Sequence, residues 1–171
     1  MAVLPEYYER WSSKRGGSKK IAEKNWEIAR ERADSLIKKI DPTDRLLILA
    51  CLYWGEGTKK FDLSISNSDP ELIRVFINCL KEIGIRNDRL RLNIRIYEDI
   101  DKVEAVNFWI KIVEVGKKQV TSVNVLKGKK VGKLKYGLCR LRVTKGSDSL
   151  KLILSLIDVI KDKSKLPSFN G

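Results

Sequence analysis

Histidine is absent from the 171-residue sequence, and this absence excludes much of ordinary enzyme chemistry. Without imidazole there is no histidine general base, no histidine-activated nucleophile and no ordinary catalytic zinc site. Any catalysis must therefore use the side chains of Asp, Glu, Lys, Arg, Asn or Gln, together with a hard metal ion.

Cysteine is scarce. The three cysteines, Cys51, Cys79 and Cys139, are far apart and lack the spacing of a metal-binding motif. Each lies in an apolar stretch, which predicts buried, reduced thiols that pack as small hydrophobic side chains.

Long apolar runs and targeting signals are also missing. No stretch reaches the length of a membrane-spanning helix, and the first residues, MAVLPEYYERW, do not resemble a signal peptide. The hydrophobic content of 43% is nevertheless that of a globular protein. We expect a soluble intracellular protein, cytoplasmic or nucleoid-associated, with no membrane partner and no small-molecule substrate.

Acidic residues are missing between Gly116 and Ser147, a region rich in Lys and Arg. The formal net charge of the whole chain is +13. A balance this basic predicts a polyanionic partner, usually a nucleic acid. The alternative is a basic soluble protein whose charge serves solubility alone.

The chain divides by composition into three parts. Residues 1–40 read as a basic helical extension, residues 41–165 as the main domain and residues 166–171 as a short tail. In the extension, a helix from about Ser18 carries a narrow apolar seam that consists of Ala22, Trp26, Ala29, Ala33, Leu36 and Ile40. This helix is expected to lie on the main domain, and a coiled-coil contact or a clamp on the DNA backbone remain alternatives.

The main domain is predicted to be α+β. Asp41 and Pro42 are typical of a helix start, and this helix is expected to end at Glu56. With the helix of the extension, the predicted order is α, α, β, α, β, α, β, β, α. The later elements are expected at 61–66, 70–84, 89–97, 102–115, 120–126, 136–143 and 149–163. Helices would cover one face of a small, mainly antiparallel sheet.

The stretch RLRLNIRIY, residues 89–97, is the clearest strand, and its polar residues all fall on one face. Arginine commonly contacts guanine and asparagine contacts adenine, whereas lysine holds phosphates. Eight residues at about 3.4 Å each span about eight base pairs. The predicted DNA-binding residues are Arg89, Arg91, Asn93, Arg95, Tyr97, Lys127, Lys129, Lys130, Arg140 and Arg142. A solvated sheet face is the alternative, although such faces usually mix charges of both signs.

The helix that ends at Glu56 has an unusual end. Cys51 and Gly55 lie four residues apart and next to Ala50, so small side chains would let another helix approach closely. Glu56 would lie at the negative end of the helix dipole. Two such ends side by side would bring two carboxylates together, an arrangement that a cation such as Mg²⁺ would stabilise.

Residues 49–57, LACLYWGEG, resemble the LAGLIDADG signature of homing endonucleases. Leucines match at the first and fourth places, alanine at the second, and the ending Gly-acid-Gly is a common form. Glu56 stands where aspartate is commoner, and Trp54 replaces the acid of the sixth place. The sequence that follows, LSISNSDPELIRVFINCLKEIGI, is similar to the strand and helix that follow the motif in that family. The likeness extends over about residues 42–163.

The resemblance implies a saddle-shaped sheet over DNA with the motif helices at its centre. A single motif per chain implies a homodimer, whose interface would consist of Ala50, Cys51, Trp54 and Gly55. Glu56 would hold a divalent metal, Mg²⁺, and Lys161 or Lys163 would lie near the active site. The implied function is a site-specific double-strand DNA homing endonuclease of a mobile intron or intein. The alternative is a non-catalytic DNA-binding transcriptional regulator on the same scaffold, and a weaker one is RNA binding.

Overall fold

The computed structural model of the protein describes residues 19–59, 61–129 and 134–165. The chain divides into two compact units, with the division after Ile40. The first unit contains helix α1, Lys19–Leu36. The predicted seam is one residue shorter than the sequence suggested, because Ile40 lies beyond the end of the helix. The tail from residue 166 onwards lies outside the described residues.

The second unit alternates helices and strands along the chain. Their order, with α1 included, is the order that the sequence predicts, and the α+β class is confirmed. The elements are α2 Pro42–Glu56, β1 Ser64–Asn67, α3 Pro70–Lys81, β2 Leu90–Tyr97, α4 Lys102–Val113, β3 Val120–Leu126, β4 Leu138–Val143 and α5 Ser147–Lys163.

The four strands form one mixed sheet in the order β1-β4-β2-β3. Strand β4 pairs antiparallel with both β1 and β2, whereas β2 and β3 are parallel. The expectation of a mainly antiparallel sheet therefore holds for two pairings and fails for the third. The reason is α4, because a helix between two neighbouring strands carries the chain back to the end where the first strand began.

One face of the sheet is covered by helices, and the apolar residues of alternate strand positions point into that layer. Tyr53, Phe76 and Trp109 are among the largest fully buried side chains of this core. The indole Nε1 of Trp109 donates to the carbonyl of Tyr136 at 2.8 Å, which satisfies its polar atom inside the core. The opposite face of the sheet is the polar one.

Helix α2 begins as its sequence predicts. The Asp41 side chain accepts from the Asp44 amide, and the Asp44 side chain accepts from the Asp41 amide, so the two form a reciprocal capping box. Pro42 occupies the first turn, where no amide hydrogen is needed. Helix α3 ends at Lys81, before the predicted end at Gly84, and the chain then passes through a turn to Gly84, which has a φ of +75°.

Strand β1 is shorter than its alternating sequence predicts. It begins at Ser64, and Phe61 is 95% exposed instead of facing the core with Leu63 and Ile65. The chain turns before the strand, where the Thr58 hydroxyl donates to the Asp62 carbonyl at 2.9 Å. Backbone pairing with β4 continues to Leu63, whose carbonyl accepts from the Val143 amide at 2.9 Å, whereas the Asp62 carbonyl is used by this local hydrogen bond.

Among the described residues, no helix is both long enough and apolar enough to cross a membrane.

Candidate nucleic-acid interface and motif helix

The polar face of the sheet collects side chains from all four strands. In β2 the buried positions alternate with Arg91, Asn93, Arg95 and Tyr97, of which Arg95 is exposed and the other three are half-buried. In β4 the exposed positions are Arg140 and Arg142. The residues that the sequence assigned to this face on β2 and β4 therefore do share one surface, with the exception of Arg89.

Strand pairing sets the spacing of these side chains. Arg91 lies opposite Arg142, and Asn93 lies opposite Arg140. Like charges directly across a strand pair destabilise a sheet. The Arg91–Arg142 pair is therefore an energetic cost that an anion on this face would relieve.

Strand β3 adds neutral polar groups to the same face. Its register against β2 shifts between Leu92 and Asn93, so that Thr121 is an extra residue in the ladder. Thr121 lines a shallow cleft of this face. The amide of Asn93 donates to the Ser122 hydroxyl, which orients this amide on the face. The cleft is lined by Asp62, Arg91, Asn93, Thr121, Arg140 and Arg142.

The arginines of the face differ in how they are held. The guanidinium of Arg91 donates to the carbonyls of Asp88 and Leu90, at 2.7 and 2.8 Å, so it is folded back along its own strand. Arg95 and Arg142 form no ion pair with any residue in the described part of the chain. Since none of the four strands contains Asp or Glu, their charge is not neutralised within the sheet.

Arg89 has a structural role that the sequence pattern concealed. It lies in a 3₁₀ turn before β2 rather than in the strand. Its guanidinium donates to the carbonyls of Thr144 and Lys145, at 2.7 to 3.2 Å, and so ties the start of β2 to the end of β4. We therefore remove Arg89 from the predicted interface, because most of its hydrogen-bond donors are used inside the protein.

The predicted lysines of the loop after β3 are only partly described. Lys127 and Lys129 are exposed, whereas Lys130 lies outside the described residues.

Asp62 is the acidic residue that the sequence reading did not assign to the site. Arg140 Nη2 donates to both carboxylate oxygens of Asp62, at 3.0 and 3.2 Å. The pairing is long-range in sequence, so no local pattern indicated it. The only available signal was the alternation of Asp62, Ser64 and Ser66, which placed Asp62 on the polar side of the first strand.

The motif helix α2 faces two environments. Leu49, Ala50 and Tyr53 are fully buried in the core of the same chain. Cys51, Trp54 and Gly55 are exposed. The assignment of Ala50 to a dimer interface was therefore wrong, because its side chain is already covered, and the expectation of a buried Cys51 thiol was wrong as well.

The other two thiols behave as the sequence predicts. Cys79 and Cys139 are buried. Burial raises the pKa of the Cys139 thiol to about 12, and burial also raises the pKa of Cys79, with Arg45 acting in the opposite direction. Both thiols therefore stay protonated at neutral pH and pack as small hydrophobic groups.

Glu56 is the last residue of α2, and its side chain is exposed. The carboxylate forms no ion pair with any residue that the structure describes, and it lies at the end of the helix where the carbonyl dipoles are negative. Just after it, Gly57 forms a β-bridge with Ile65, and the Thr58 amide donates to the Ser64 carbonyl at 3.2 Å. The helix end is thus fixed to strand β1.

Glycine is required at position 57 because there is no room for a side chain. Its backbone conformation does not require glycine, since its φ is −77°. A Cβ at this position would lie 2.6 Å from two ring carbons of Tyr53 and would also press on the Tyr53 carbonyl oxygen. The final glycine of the motif therefore lets the chain leave the helix directly over a buried tyrosine.

Replacing Gly57 by alanine is expected to lower the free energy of unfolding by about 1–3 kcal/mol. The added methyl group would press on the Tyr53 carbonyl oxygen, a backbone atom that cannot move aside easily. Gly55→Ala is the matched control. Nothing lies within 4 Å of its added Cβ, so it should leave stability unchanged or raise it by up to about 1 kcal/mol. Urea unfolding followed by circular dichroism measures both, and equal stability of the two variants would contradict the packing role.

The two lysines near the end of α5 differ in their surroundings. Lys161 Nζ lies 5.3 Å from the ring centroid of Trp54, so it contacts the motif helix. It also pairs with Asp158 at 2.9 Å on its own helix. Lys163 is exposed in the last turn. Of the two, Lys161 is the one that the structure brings to α2.

No group of three or more Cys, Asp or Glu side chains that could hold a metal ion occurs among the described residues. Glu56 offers one exposed carboxylate at the end of α2.

No family model, no curated protein and no solved structure matches this chain. The likeness to the LAGLIDADG family accordingly stays a prediction from the residues of the motif and its flanks.

Proposed function

We propose that this protein binds double-stranded DNA in a sequence-dependent way through the polar face of its sheet. The observation that carries the proposal is the set of arginines on β2 and β4, held in register on a face whose strands contain no acidic residue. Fixed strands position side chains well enough to read base edges, and the surplus positive charge attracts phosphates.

Two strands of the sheet have dimensions that suit a DNA groove. The neighbouring strands β2 and β4 are about 4.8 Å apart, and the major groove admits a two-stranded ribbon of this kind. The major groove of B-DNA is about 12 Å wide and presents a different donor and acceptor pattern for each base pair. Arginine and asparagine side chains in adjacent strands, such as Arg140 opposite Asn93, are the residue types that distinguish guanine from adenine there.

A second part of the proposal is cleavage by a homodimer with Mg²⁺. The observation that favours it is Glu56, an exposed carboxylate at the negative end of a helix. Mg²⁺ is commonly held by one or two carboxylates together with substrate phosphates and water. Glu56 supplies one such carboxylate per chain, and in a homodimer a second copy would supply the other.

In that arrangement Glu56 would hold the metal, which when bound activates water and stabilises the leaving oxygen of a phosphodiester. The chain's own groups would do the rest: the arginines of the sheet hold the duplex, and Lys161 places a positive charge beside the motif helix. The alternative is a regulator that binds DNA through the same face and does not cut it.

The experiment that tests both parts uses a randomised duplex library. The purified protein is incubated with the library and Mg²⁺, and both the retained fragments and any new ends are sequenced. We expect an enriched motif among the retained fragments and new ends at a fixed position within it. An enriched motif without new ends would favour the regulator, whereas no enrichment at all would contradict sequence-dependent duplex binding.

Arginines on the sheet and lysines in the loop are expected to contribute differently. Arg95→Ala should cost about 1–3 kcal/mol at its target base pair and relax the preference there. Lys129→Ala should weaken binding to all sequences alike and lower the slope of log K against log salt by about 0.9. Fluorescence anisotropy with the selected and scrambled duplexes at several salt concentrations measures both. Equal losses on the two duplexes for Arg95→Ala would contradict its assignment to base reading.

A further inference from the structure

We propose that Asp62 is a positioning residue that makes Arg140 a base-reading arginine of the sheet face. This inference rests on the proposed DNA binding and deepens it, since it assigns base contact to one arginine and phosphate contact to its neighbour.

The first argument is geometric. Arg140 is held at two points: Nη2 donates to Asp62 at 3.0 Å, and Nε and Nη2 donate to the Ser64 hydroxyl at 3.4 and 3.3 Å. The Ser64 hydroxyl in turn donates to Asp62 at 3.1 Å. A guanidinium has five N–H donors, so both hydrogens of Nη1 remain available to a ligand. An arginine fixed in this way loses little conformational freedom on binding, which favours contacts that depend on geometry.

The second argument concerns what fixes Asp62. Its carboxylate and its carbonyl both accept from the Thr58 hydroxyl, at 3.3 and 2.9 Å. Ser64 is fully buried, and it stands opposite Arg142 in the ladder between β1 and β4. The network therefore connects the chain that leaves the motif helix to the face of the sheet. Such a built support distinguishes Asp62 from a solvated surface acid.

The third argument is electrostatic. Asp62 is the one acidic side chain that lines the cleft among the described residues. A phosphate beside Arg140 would lie next to this carboxylate and be repelled, whereas the neutral edge of a base would not. Binding to a phosphate is therefore disfavoured at Arg140, and its free Nη1 suits a single acceptor on a base edge, such as O6 or N7 of guanine in the major groove.

Arg142 provides the contrast on the same strand. It forms no ion pair with any residue in the described ranges, and it faces Arg91 across the strand pair. Neither guanidinium is bonded to a described acid, and that of Arg91 is turned back along its own strand to the carbonyls of Asp88 and Leu90. The guanidinium of Arg142 therefore suits a phosphate, a contact that does not depend on base sequence.

The test begins with the duplex that the wild-type protein selects from a randomised library, and compares it with a scrambled duplex of equal length. Arg140→Ala is expected to lower the ratio of the two affinities about tenfold. Asp62→Ala is expected to lower the same ratio about tenfold and to raise the affinity for the scrambled duplex. The slope of log K against log salt should become steeper by about 0.9, because a DNA phosphate takes the place of the carboxylate beside Arg140. Asp62→Asn, which keeps the acceptor without the charge, should retain part of the selectivity.

Two controls separate this role from general effects of charge or folding. Glu71→Ala removes an equal charge and breaks a comparable pair, with Arg74 at 2.9 Å, on α3. It should leave the affinity ratio unchanged. Arg142→Ala should weaken both duplexes alike. In the Asp62→Ala, Arg140→Ala double variant the loss of selectivity should not exceed that of Arg140→Ala alone, because both substitutions remove one contact.

Each outcome has a separate meaning. If the wild type selects no sequence, the proposed DNA reading is overturned and this inference with it. If the wild type is selective and both Asp62 variants keep full selectivity, the positioning role alone is overturned. An Asp62→Ala variant that loses affinity for both duplexes equally and unfolds at a lower temperature would likewise assign Asp62 to folding and overturn the role.

Discussion

Glu56→Gln is expected to abolish Mg²⁺-dependent cleavage of the selected duplex while leaving DNA affinity equal or tighter. Glutamine keeps the shape of the side chain and removes its charge, so the metal loses a ligand. Metal stabilisation of developing charge contributes several kcal/mol, which corresponds to about a hundredfold to thousandfold in rate. Affinity should not fall, because a carboxylate near the phosphates opposes binding.

Single-turnover cleavage of the selected duplex and anisotropy in Ca²⁺ measure the two quantities separately. Ca²⁺ is expected to support binding with little cutting in the wild type. Glu71→Gln is the matched control, since it makes the same chemical change at an exposed helical carboxylate on α3 and should cut at the wild-type rate. If Glu56→Gln cuts as fast as the wild type, Glu56 does not hold the metal. If the wild-type protein binds its selected site but cuts it with neither Mg²⁺ nor Mn²⁺, the alternative function of a non-catalytic DNA-binding regulator is favoured.

Gly55→Leu is expected to convert a homodimer into a monomer and to remove cleavage with it. The exposed side of α2 carries Cys51, Trp54 and Gly55, and Trp54 is 43% exposed. Two copies of this helix can approach closely only where the side chains are small. A leucine at the centre of that contact would separate the helices and, in the proposed arrangement, the two Glu56 carboxylates.

The monomer itself should tolerate this change. Nothing lies within 4 Å of a Cβ built on Gly55, so the first carbon of the leucine side chain meets no neighbour in its own chain. Leucine also favours the helix over glycine by about 0.5–1 kcal/mol. The loss of the dimer would therefore not be a consequence of unfolding.

Light scattering at micromolar concentration measures the mass of each variant, and circular dichroism measures the thermal midpoint. The matched control is Asn107→Leu, which places the same side chain at an exposed position of α4 and should stay dimeric. A wild type that is monomeric both free and on its selected duplex would contradict the homodimer. A Gly55→Leu variant that remains dimeric would place the interface elsewhere.

The order of the elements and the two faces of each strand follow from local features of the sequence. Asp41, Pro42 and Asp44 fix the start of α2 by hydrogen bonds within one turn, and the alternation along 90–97 assigns each side chain to a face. These features depend on residues that are close together in the sequence, so they can be predicted from the sequence alone. The end of α2 at Glu56 was predicted in the same way.

The pairing of the strands and the contacts between polar groups depend on the tertiary structure instead. The parallel pairing of β2 with β3 depends on the path of α4, and the burial of Ala50 depends on the layer that packs against α2. Arg89 and Asp62 have their partners 55 and 78 residues away, at Thr144 and Arg140. Contacts over such separations follow from the strand order of the sheet and its register, and no periodicity in the sequence predicts them.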